Sequence, residues 1–298
     1  MDDRPLSILH SLPVSPRDEQ WGIVCTTAGH QHVPPGTPYP VSEHPEHYLF
    51  YKGSGRTLDE YQLVYITAGR GRFESASCPS QTVEAGTMLL LFPNEWHSYS
   101  PDPGTGWTEW WVGFRGANID RLEQQGFLCR RRPLLRIGCS GGIERCYREI
   151  IGTVEEERVG FQPLISSIVL HILGSVLFKH SNLLYSDNPV VEKINRAKAI
   201  MRTDFGRNRS PEQIAREVGM GYTWFRRVFR EYVGMAPAQY QHTMRLNKAR
   251  ELLATTAHSI SEIAYALGFE SVSAFSLFFR LRERLSPSQY RARFRGGK

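Results

Sequence analysis

The sequence predicts a mixed fold: an N-terminal antiparallel β jelly roll followed by helices, then an all-α C-terminal domain with two helix-turn-helix motifs. Three observations carry this prediction. Strands of period two separated by turn residues run from residue 48 to 114, and apolar residues at helical spacing run from 142 to 180. A degenerate repeat of about 50 residues fills the last third of the chain. A length of 298 residues accommodates two such domains.

The strands follow one another between regular turn signals. Tyr61–Ile66 predicts a strand, and the glycines of Ala68–Gly71 predict a turn from which Arg72–Ser75 returns. Met88–Phe92 predicts a buried strand, and Trp107–Phe114 predicts another. Several short antiparallel strands of this kind are typical of a jelly roll or a barrel.

Two helices are predicted after the strands, at residues 142–159 and 161–180. The second has a broad apolar stripe that can pack on the strands or meet the same stripe of a second copy. The polar segment Ser186–Pro189 predicts a hinge, which sets the domain boundaries at 1–140, 141–186 and 187–298. The stripe consists of two rows of residues four apart: Leu164, Ile168, Ile172 and Val176, and Ile165, Val169, Leu173 and Leu177.

The repeat predicts a pair of similar helix-turn-helix modules. Ile214–Gly219 returns as Ile263–Gly268, and Phe229-Arg230 returns as Phe279-Arg280. Ser210 before a proline and a glutamine predicts the capped start of the first helix. The glycine that ends each of the two repeated segments can take a left-handed conformation and so form the turn.

Charge divides the chain at the same hinge. Residues 189–298 contain 20 Lys and Arg against 9 Asp and Glu, a net charge of +11, whereas residues 1–188 contain 16 against 21, a net charge of −5. A basic domain joined to an acidic one is typical of a DNA-binding module attached to a second function. Phosphate contacts would supply most of the affinity and make it depend on salt.

The outer faces of the second helices of the two modules are the candidate DNA-contacting surfaces. The first face carries arginines that can reach guanine edges or phosphates, and the second carries small and apolar groups that suit thymine methyls better. We therefore expect the first module to supply most of the base-specific binding energy. The candidate residues are Tyr222, Thr223, Trp224, Arg226, Arg227 and Arg230 in the first module, and Val272, Ser273, Ala274, Ser276 and Arg280 in the second.

From Asn188 to Arg295 the chain resembles the AraC-type (AraC/XylS) family of bacterial transcription regulators. The stretches Met244–Leu253 and Ser259–Phe279 carry the resemblance. It implies two recognition helices that enter successive major-groove segments on one face of a double-stranded DNA operator. Arg284 stands where the family usually has a glycine, so the last helices of the second module are expected to end differently.

The first half resembles, on fewer residues, the cupin-like effector domain common in the same family. The resemblance rests on the strand that begins at Tyr61 and on the spacing of Gly86, Pro93 and His97. It implies a cytoplasmic homodimer controlled by a small molecule and acting with RNA polymerase, most often as an activator of sugar-utilisation genes. By analogy with family members, the proline-rich segment Val33–Pro38 is expected to form an arm over the mouth of the barrel.

Aromatic rings mixed with a few polar groups favour a pocket for a small molecule, including a mono- or oligosaccharide. Trp107, Glu109 and Trp111 share one face of their strand, and Trp110 and Val112 share the other, so only one of these sets can line the interior. The candidate effector-binding residues are Tyr65, Arg72, Glu74, Trp96, His97, Trp107, Glu109 and Trp111.

Other function classes find less support. His97 lies near a metal-ligand position of cupins, but the His-x-His partner motif is missing, and no Ser-His-Asp or Cys-His spacing predicts catalysis. We therefore expect no enzyme activity, cofactor or bound metal. Five cysteines without a Cys-x-x-Cys pair favour a reduced cytoplasmic protein, and the apolar run 165–178 is too short to span a membrane.

Three alternatives remain open. The barrel can be only a dimerisation scaffold of a constitutive or partner-controlled regulator. A cupin enzyme with a DNA-binding tail and a helical protein-binding adaptor are the others. Activation and repression are not separated by any residue.

Overall fold

The computed structural model describes residues 7–40, 55–185 and 189–295. The chain divides into two compact units, Met1–Ser186 and Asp187–Lys298. Of the predicted hinge, Ser186–Pro189, residues 186–188 lie outside the described residues, and Pro189 begins the next helix.

The described part of the first unit contains eight antiparallel strands. Six follow the order β1-β2-β7-β3-β5-β8, and β4 and β6 pair with the far half of β3. The antiparallel fold predicted for this half is thus confirmed. The strands are β1 Ser7–Ser11, β2 Val24–Val33, β3 Tyr61–Ser75, β4 Cys78–Glu84, β5 Thr87–Leu91, β6 His97–Pro101, β7 Trp107–Arg115 and β8 Leu134–Arg136.

The turn predicted at Ala68–Gly71 is wrong, because β3 is one strand of 15 residues. Its first half pairs with β5 and β7 and its second half with β4 and β6, with a register shift between Ile66 and Ala68. Glycine at position 69 leaves room for the neighbouring strand, because a Cβ there would lie 2.1 Å from the carbonyl oxygen of Gly106. β3 therefore bends from one wall of the sheet system into the other without reversing.

Alternation along the strands separates two apolar clusters. Trp107 and Trp111 belong to the interior cluster enclosed by the strands, together with Val64 and Leu89. Trp110 belongs instead to the cluster that the sheet forms with the following helices. The period of two thus places alternate residues of β7 in different surroundings.

The structure describes four helices in the first unit. The last, α4, has 25 residues, so it is longer than the apolar run recognised in the sequence, and it is apolar enough to cross a membrane by length and composition alone. Its buried side, which includes Ile165, Val169 and Ile172, packs in the cluster shared with the sheet, as in the core helix of a folded unit. The helices are α1 Pro16–Glu19, α2 Ala117–Gln124, α3 Gly141–Glu156 and α4 Phe161–Tyr185.

The second unit is all-helical where the structure describes it, as predicted. Two apolar clusters lie in it, one built around Phe225 and Phe229 and the other around Phe275 and Phe279. The long helix α8 contributes to both clusters and so joins the modules. The helices are α5 Pro189–Thr203, α6 Pro211–Glu217, α7 Tyr222–Val233, α8 Pro237–Thr255, α9 Ile260–Ala266, α10 Val272–Glu283 and α11 Pro287–Arg295.

Candidate nucleic-acid interface and ligand pocket

The interior of the strand system contains an aromatic group around Tyr39. Its ring lies edge-on to Trp107 with centroids 5.9 Å apart, and 6.3 Å from the ring of Tyr99. Tyr39 belongs to the proline-rich segment that follows β2, and Gly36 of that segment donates a backbone hydrogen bond of 2.8 Å to the Pro103 carbonyl. This segment thus delivers an aromatic side chain into the interior.

Two polar atoms in the same place have no hydrogen-bond partner among the described residues. Glu109 is 2% exposed, and the Tyr39 hydroxyl donates to its Oε1 over 3.4 Å. The other carboxylate oxygen, Oε2, and the indole Nε1 of Trp107 make no hydrogen bond with the part of the chain that the structure describes. Burial raises the pKa of Glu109 to about 8, although nearby Arg56 and Tyr39 oppose the shift. The carboxyl therefore holds its proton at neutral pH and can donate a hydrogen bond.

His97 is held neutral beside this group. Its Nδ1 is 3.0 Å from the Glu95 carbonyl, and its Nε2 accepts from Arg56 Nε over 3.3 Å, which selects the tautomer with a proton on Nδ1. Burial, followed by the charge of Arg56, lowers the pKa of His97 to about 3. Arg56 Nη2 also donates to the Tyr99 hydroxyl over 2.8 Å. The arginine thus ties together two side chains of β6.

Of the eight effector-binding candidates, Trp107, Glu109 and Trp111 lie in the interior, and His97 stacks on Tyr99 with centroids 6.2 Å apart. Tyr65 does not lie in this interior. It faces the helices, where its hydroxyl donates to the Gly138 carbonyl and accepts from the Ser140 amide, both at 2.8 Å. The register of β3 sends its side chain to the face opposite that of Val64 and Ile66.

The structure also does not bring Arg72, Glu74 and Trp96 to this group. Arg72 is exposed and lines a shallow surface cleft with Arg70 and Asp102, because Phe73 takes the inward position of the strand. Glu74 alternates with Phe73 and is half-buried, and Trp96 is 37% exposed. The structure places Arg72 and Glu74 away from this group because β3 continues through the expected turn.

Sequence reasoning missed Gln31, Tyr39, Arg56 and Tyr99. Tyr99 follows His97 by two residues on one strand, and this spacing could have identified it. Gln31 lies directly opposite Glu109 in the β2–β7 register. Tyr39 stands in a proline-rich segment without periodicity, so no local pattern marked it.

The turns of the two helical modules are built alike. The Met220 amide donates to the Ala215 carbonyl over 2.9 Å, and the Phe269 amide donates to the Ala264 carbonyl over 3.0 Å. The glycine before each of these amides has a positive φ of 67° or 74°. Side-chain capping boxes start the first helix of each module, at Ser210 with Gln213 and at Ser259 with Glu262.

α7 presents a cationic and aromatic face opposite its buried phenylalanines. Trp224 is 41% exposed, and Arg226, Arg227 and Arg230 are exposed as well. Among the described residues these three guanidinium groups form no salt bridge, whereas Arg209 pairs with both Asp204 and Glu217. Unpaired cations concentrated on one helix favour an anionic partner.

α10 presents a different face from an equivalent position. Ser273, Ala274 and Leu277 are exposed, and Val272 and Ser276 are half-buried. Arg280 is exposed at the far end of the same helix. Arg284 follows the helix with a φ of 58° and its amide donates to Arg280, just as Gly234 follows α7 with a φ of 80° and donates to Arg230. The two helices therefore end alike, contrary to the expectation from the sequence.

Known proteins match both halves of the chain. The model of an AraC-like ligand binding domain matches residues 47–173, and that of a helix-turn-helix domain matches residues 214–293. The chain belongs to the AraC family of transcription regulators. This AraC-family chain resembles regulators of transcription rather than enzymes. From residue 214 onward, the match to the helix-turn-helix domain covers the two modules described above.

Similar proteins span most of the AraC-family chain. The raffinose operon transcriptional regulatory protein RafR of Pediococcus pentosaceus is 24% identical over 250 residues, which cover 81% of this chain and 87% of that protein. The HTH-type transcriptional activator RhaS of Salmonella paratyphi B is 26% identical over 245 residues, covering 78% and 85%. A solved AraC-type transcriptional regulator of Chromobacterium violaceum is 32% identical, with a TM-score of 0.33, covering 37% of this chain and 97% of that chain.

Proposed function

We propose that this protein is a cytoplasmic, homodimeric regulator that responds to a sugar bound inside its N-terminal strand system and activates transcription of sugar-utilisation genes. Residues 1–140 would hold the sugar, 141–186 would form the dimer, and 187–298 would bind the operator. In this proposal α7 and α10 enter successive segments of the major groove with the candidate residues named above.

One observation carries the sugar: the buried Trp107 Nε1–H and Glu109 Oε2 have no partner among the described residues. Leaving buried polar groups unpaired costs about 1–3 kcal/mol each, so a ligand that supplies both partners gains that free energy. A sugar hydroxyl accepts from the indole and donates to or accepts from the carboxyl. The aromatic rings beside these atoms suit the apolar face of a pyranose.

The names of similar proteins support the same choice. RafR is named for the raffinose operon, which concerns a sugar, and RhaS is named an activator. An activator acts through RNA polymerase, so the proposal includes that contact. A reporter gene behind an operator selected by the protein checks it: activation requires transcription to rise with the sugar.

The direct test is thermal stabilisation of the full-length protein by a panel of mono- and oligosaccharides. A sugar at 100 times its Kd adds about 2.7 kcal/mol of stability to the native state. Trp107→Phe removes the interior N–H and should lose this stabilisation. Trp110→Phe is the matched control, because it makes the same change on the opposite face of β7.

If no sugar stabilises the protein while it still binds DNA, the sugar proposal fails. The better hypothesis is then a constitutive or partner-controlled regulator in which the strand system serves only as a dimerisation scaffold.

The dimer is supported by a second stripe on α4, which consists of exposed residues along its outer side. The sequence spacing between its six exposed residues alternates between three and four. This spacing is typical of a helix that pairs lengthwise with another helix. Large and small side chains alternate along the stripe. Its members are Leu164, Ser167, His171, Gly174, Phe178 and Ser181.

This alternation favours an antiparallel pair around a two-fold axis between residues 172 and 173. Leu164 of one protomer then lies opposite Ser181 of its partner, and His171 lies opposite Gly174. Phe178 lies opposite Ser167 in the same register. A parallel pair would place each residue opposite its own copy, which leaves large groups clashing and small ones apart.

Gly174→Leu tests the pairing, because it fills the space opposite His171 in the proposed dimer. Analytical ultracentrifugation should find the variant monomeric and the wild type dimeric. Val159→Leu enlarges an exposed apolar residue that precedes the stripe and serves as the control. A Gly174→Leu protein that dimerises like the wild type contradicts the interface.

A further inference from the structure

An exposed apolar stripe lies on α10, on the side away from its buried core. Leu277 is 61% exposed and Leu281 is 72% exposed. With Ala274, also exposed, they stand at positions i, i+3 and i+7 and so share one helix face. Single exposed leucines are ordinary, but two neighbouring ones on one helix indicate a surface that meets a partner.

The fold of the module does not require this stripe. The equivalent positions on α7 are Trp224, Arg227 and Glu231, two of which are charged. Both helices nevertheless bury a pair of phenylalanines in their own cluster, Phe225 and Phe229 in one case. The apolar character is therefore a property of the outer face of α10, independent of its packing.

The charge around the stripe indicates an anionic partner. Arg280, Arg282 and Arg284 are exposed at the same end of α10. The whole domain from 189 to 298 has a net charge of +11. A matching partner must therefore carry negative charges around central apolar groups. DNA offers this combination in the major groove, where the thymine C5-methyl is the apolar group.

The remaining outer positions of α10 strengthen this choice. Ser273 and Ser276 are too short for bidentate contacts with a base, and the outer face from 272 to 277 has no Arg, Lys, Asn or Gln. Hydrogen-bonded readout of guanine or adenine depends on those residue types. We propose that α10 reads thymine methyl groups through Leu277, with Ala274 and Leu281 widening the apolar contact. The proposal rests on the proposed DNA-binding function of α7 and α10.

The test uses a duplex enriched from a random library by the full-length protein. Each thymine is replaced in turn by uracil, which removes only the methyl group, and the Kd is measured at one fixed salt concentration. Uracil in the segment contacted by α10 should weaken binding roughly fourfold per thymine, the value of one buried methylene-sized group. Replacing the same T·A pair by 5-methylcytosine·guanine should preserve more affinity than cytosine·guanine, because the methyl is kept.

A double-mutant cycle identifies the reader. Leu277→Ala should weaken binding to the thymine duplex and show no further loss with uracil, because both changes remove the same contact. Arg227→Ala is the matched control: it should weaken binding but keep the response to uracil.

Three results would overturn the inference. Uracil tolerated at every position, while Arg227→Ala still weakens binding, leaves the DNA-binding function intact and refutes methyl readout. Independent, additive losses from Leu277→Ala and uracil remove Leu277 as the reader. A library from which no duplex is enriched refutes the DNA-binding function itself and the inference with it.

Discussion

Replacing Glu109 by Gln should change how the stability of the first unit depends on pH. The pKa of Glu109 is raised to about 8 by burial, whereas an unfolded chain releases this proton near 4.5. The stability contributed by the proton is fully present below pH 4.5 and is lost as pH rises towards 8. Within this window the free energy of unfolding falls by about 1.4 kcal/mol per pH unit. Glutamine does not titrate, so Glu109→Gln lacks this slope.

The magnitude follows from the width of the window. Between pH 5.5 and 7.5, two units inside it, the wild type should lose about 2.7 kcal/mol relative to Glu109→Gln. His97 acts in the opposite sense: its pKa is lowered to about 3, so its contribution is lost as pH falls below 6.5. Because His97 is present in both proteins, its effect cancels in the difference between them.

Urea unfolding followed by tryptophan fluorescence measures the effect, because five of the six tryptophans lie in the first 186 residues. Glu74→Gln controls for the loss of a carboxyl, since Glu74 lies outside the interior cluster. Parallel stability curves for wild type and Glu109→Gln from pH 5 to 8 would refute the reasoning. They would mean that the carboxyl is ionised throughout, paired with Arg56.

Three further predictions concern single residues. Arg284→Gly should stabilise the second unit by about 0.5–1 kcal/mol, since relief of a left-handed φ outweighs the added freedom of the unfolded chain. Gly234→Ala should destabilise the second unit by a similar amount. Urea unfolding followed by circular dichroism measures both changes, and the opposite ranking of the two variants would contradict this prediction. Tyr39→Phe removes a hydroxyl that lowers the pKa of Glu109, so the stability of the first unit should level off at higher pH than in the wild type, and an unmoved plateau speaks against that hydrogen bond. Arg226→Ala should reduce the slope of log K against log salt by about 1, as one lost phosphate contact requires, and an unchanged slope would place Arg226 away from phosphate.

The helical half could be predicted closely because its signals are local. Ser210, Pro211 and Gly219 act on neighbouring backbone, so their sequence spacing fixes where α6 starts and ends. Arg284 shows the limit of this reasoning. Packing of the second module holds a residue with a Cβ in the conformation that Gly234 adopts freely, and no sequence rule gives the strength of that packing.

The strand half could be predicted as a fold but only partly as a site. The alternation of Trp107, Glu109 and Trp111 placed them on one face correctly, because a period of two needs no tertiary information. Which face lay inward depended on the helices that cover the other one. The positions of Arg72 and Tyr39 depend on contacts between residues that are distant in sequence. Arg72 lies on a strand that continues past its glycines, and Tyr39 lies on a proline-rich segment that folds back. Neither feature leaves a periodic signal in the sequence.

α8 fixes the distance between the two apolar clusters of the second unit. It supplies Tyr240 to one apolar cluster and Leu253 to the other, and its 19 residues span about 28 Å. If both modules hold DNA, as proposed above, the separation of the two contacts is set by a helix that cannot stretch. One extra base pair between the two DNA segments would turn the second by about 36°, so the duplex and not the protein would have to twist or bend. Operators of this protein should therefore keep one constant internal spacing even where their base sequence varies.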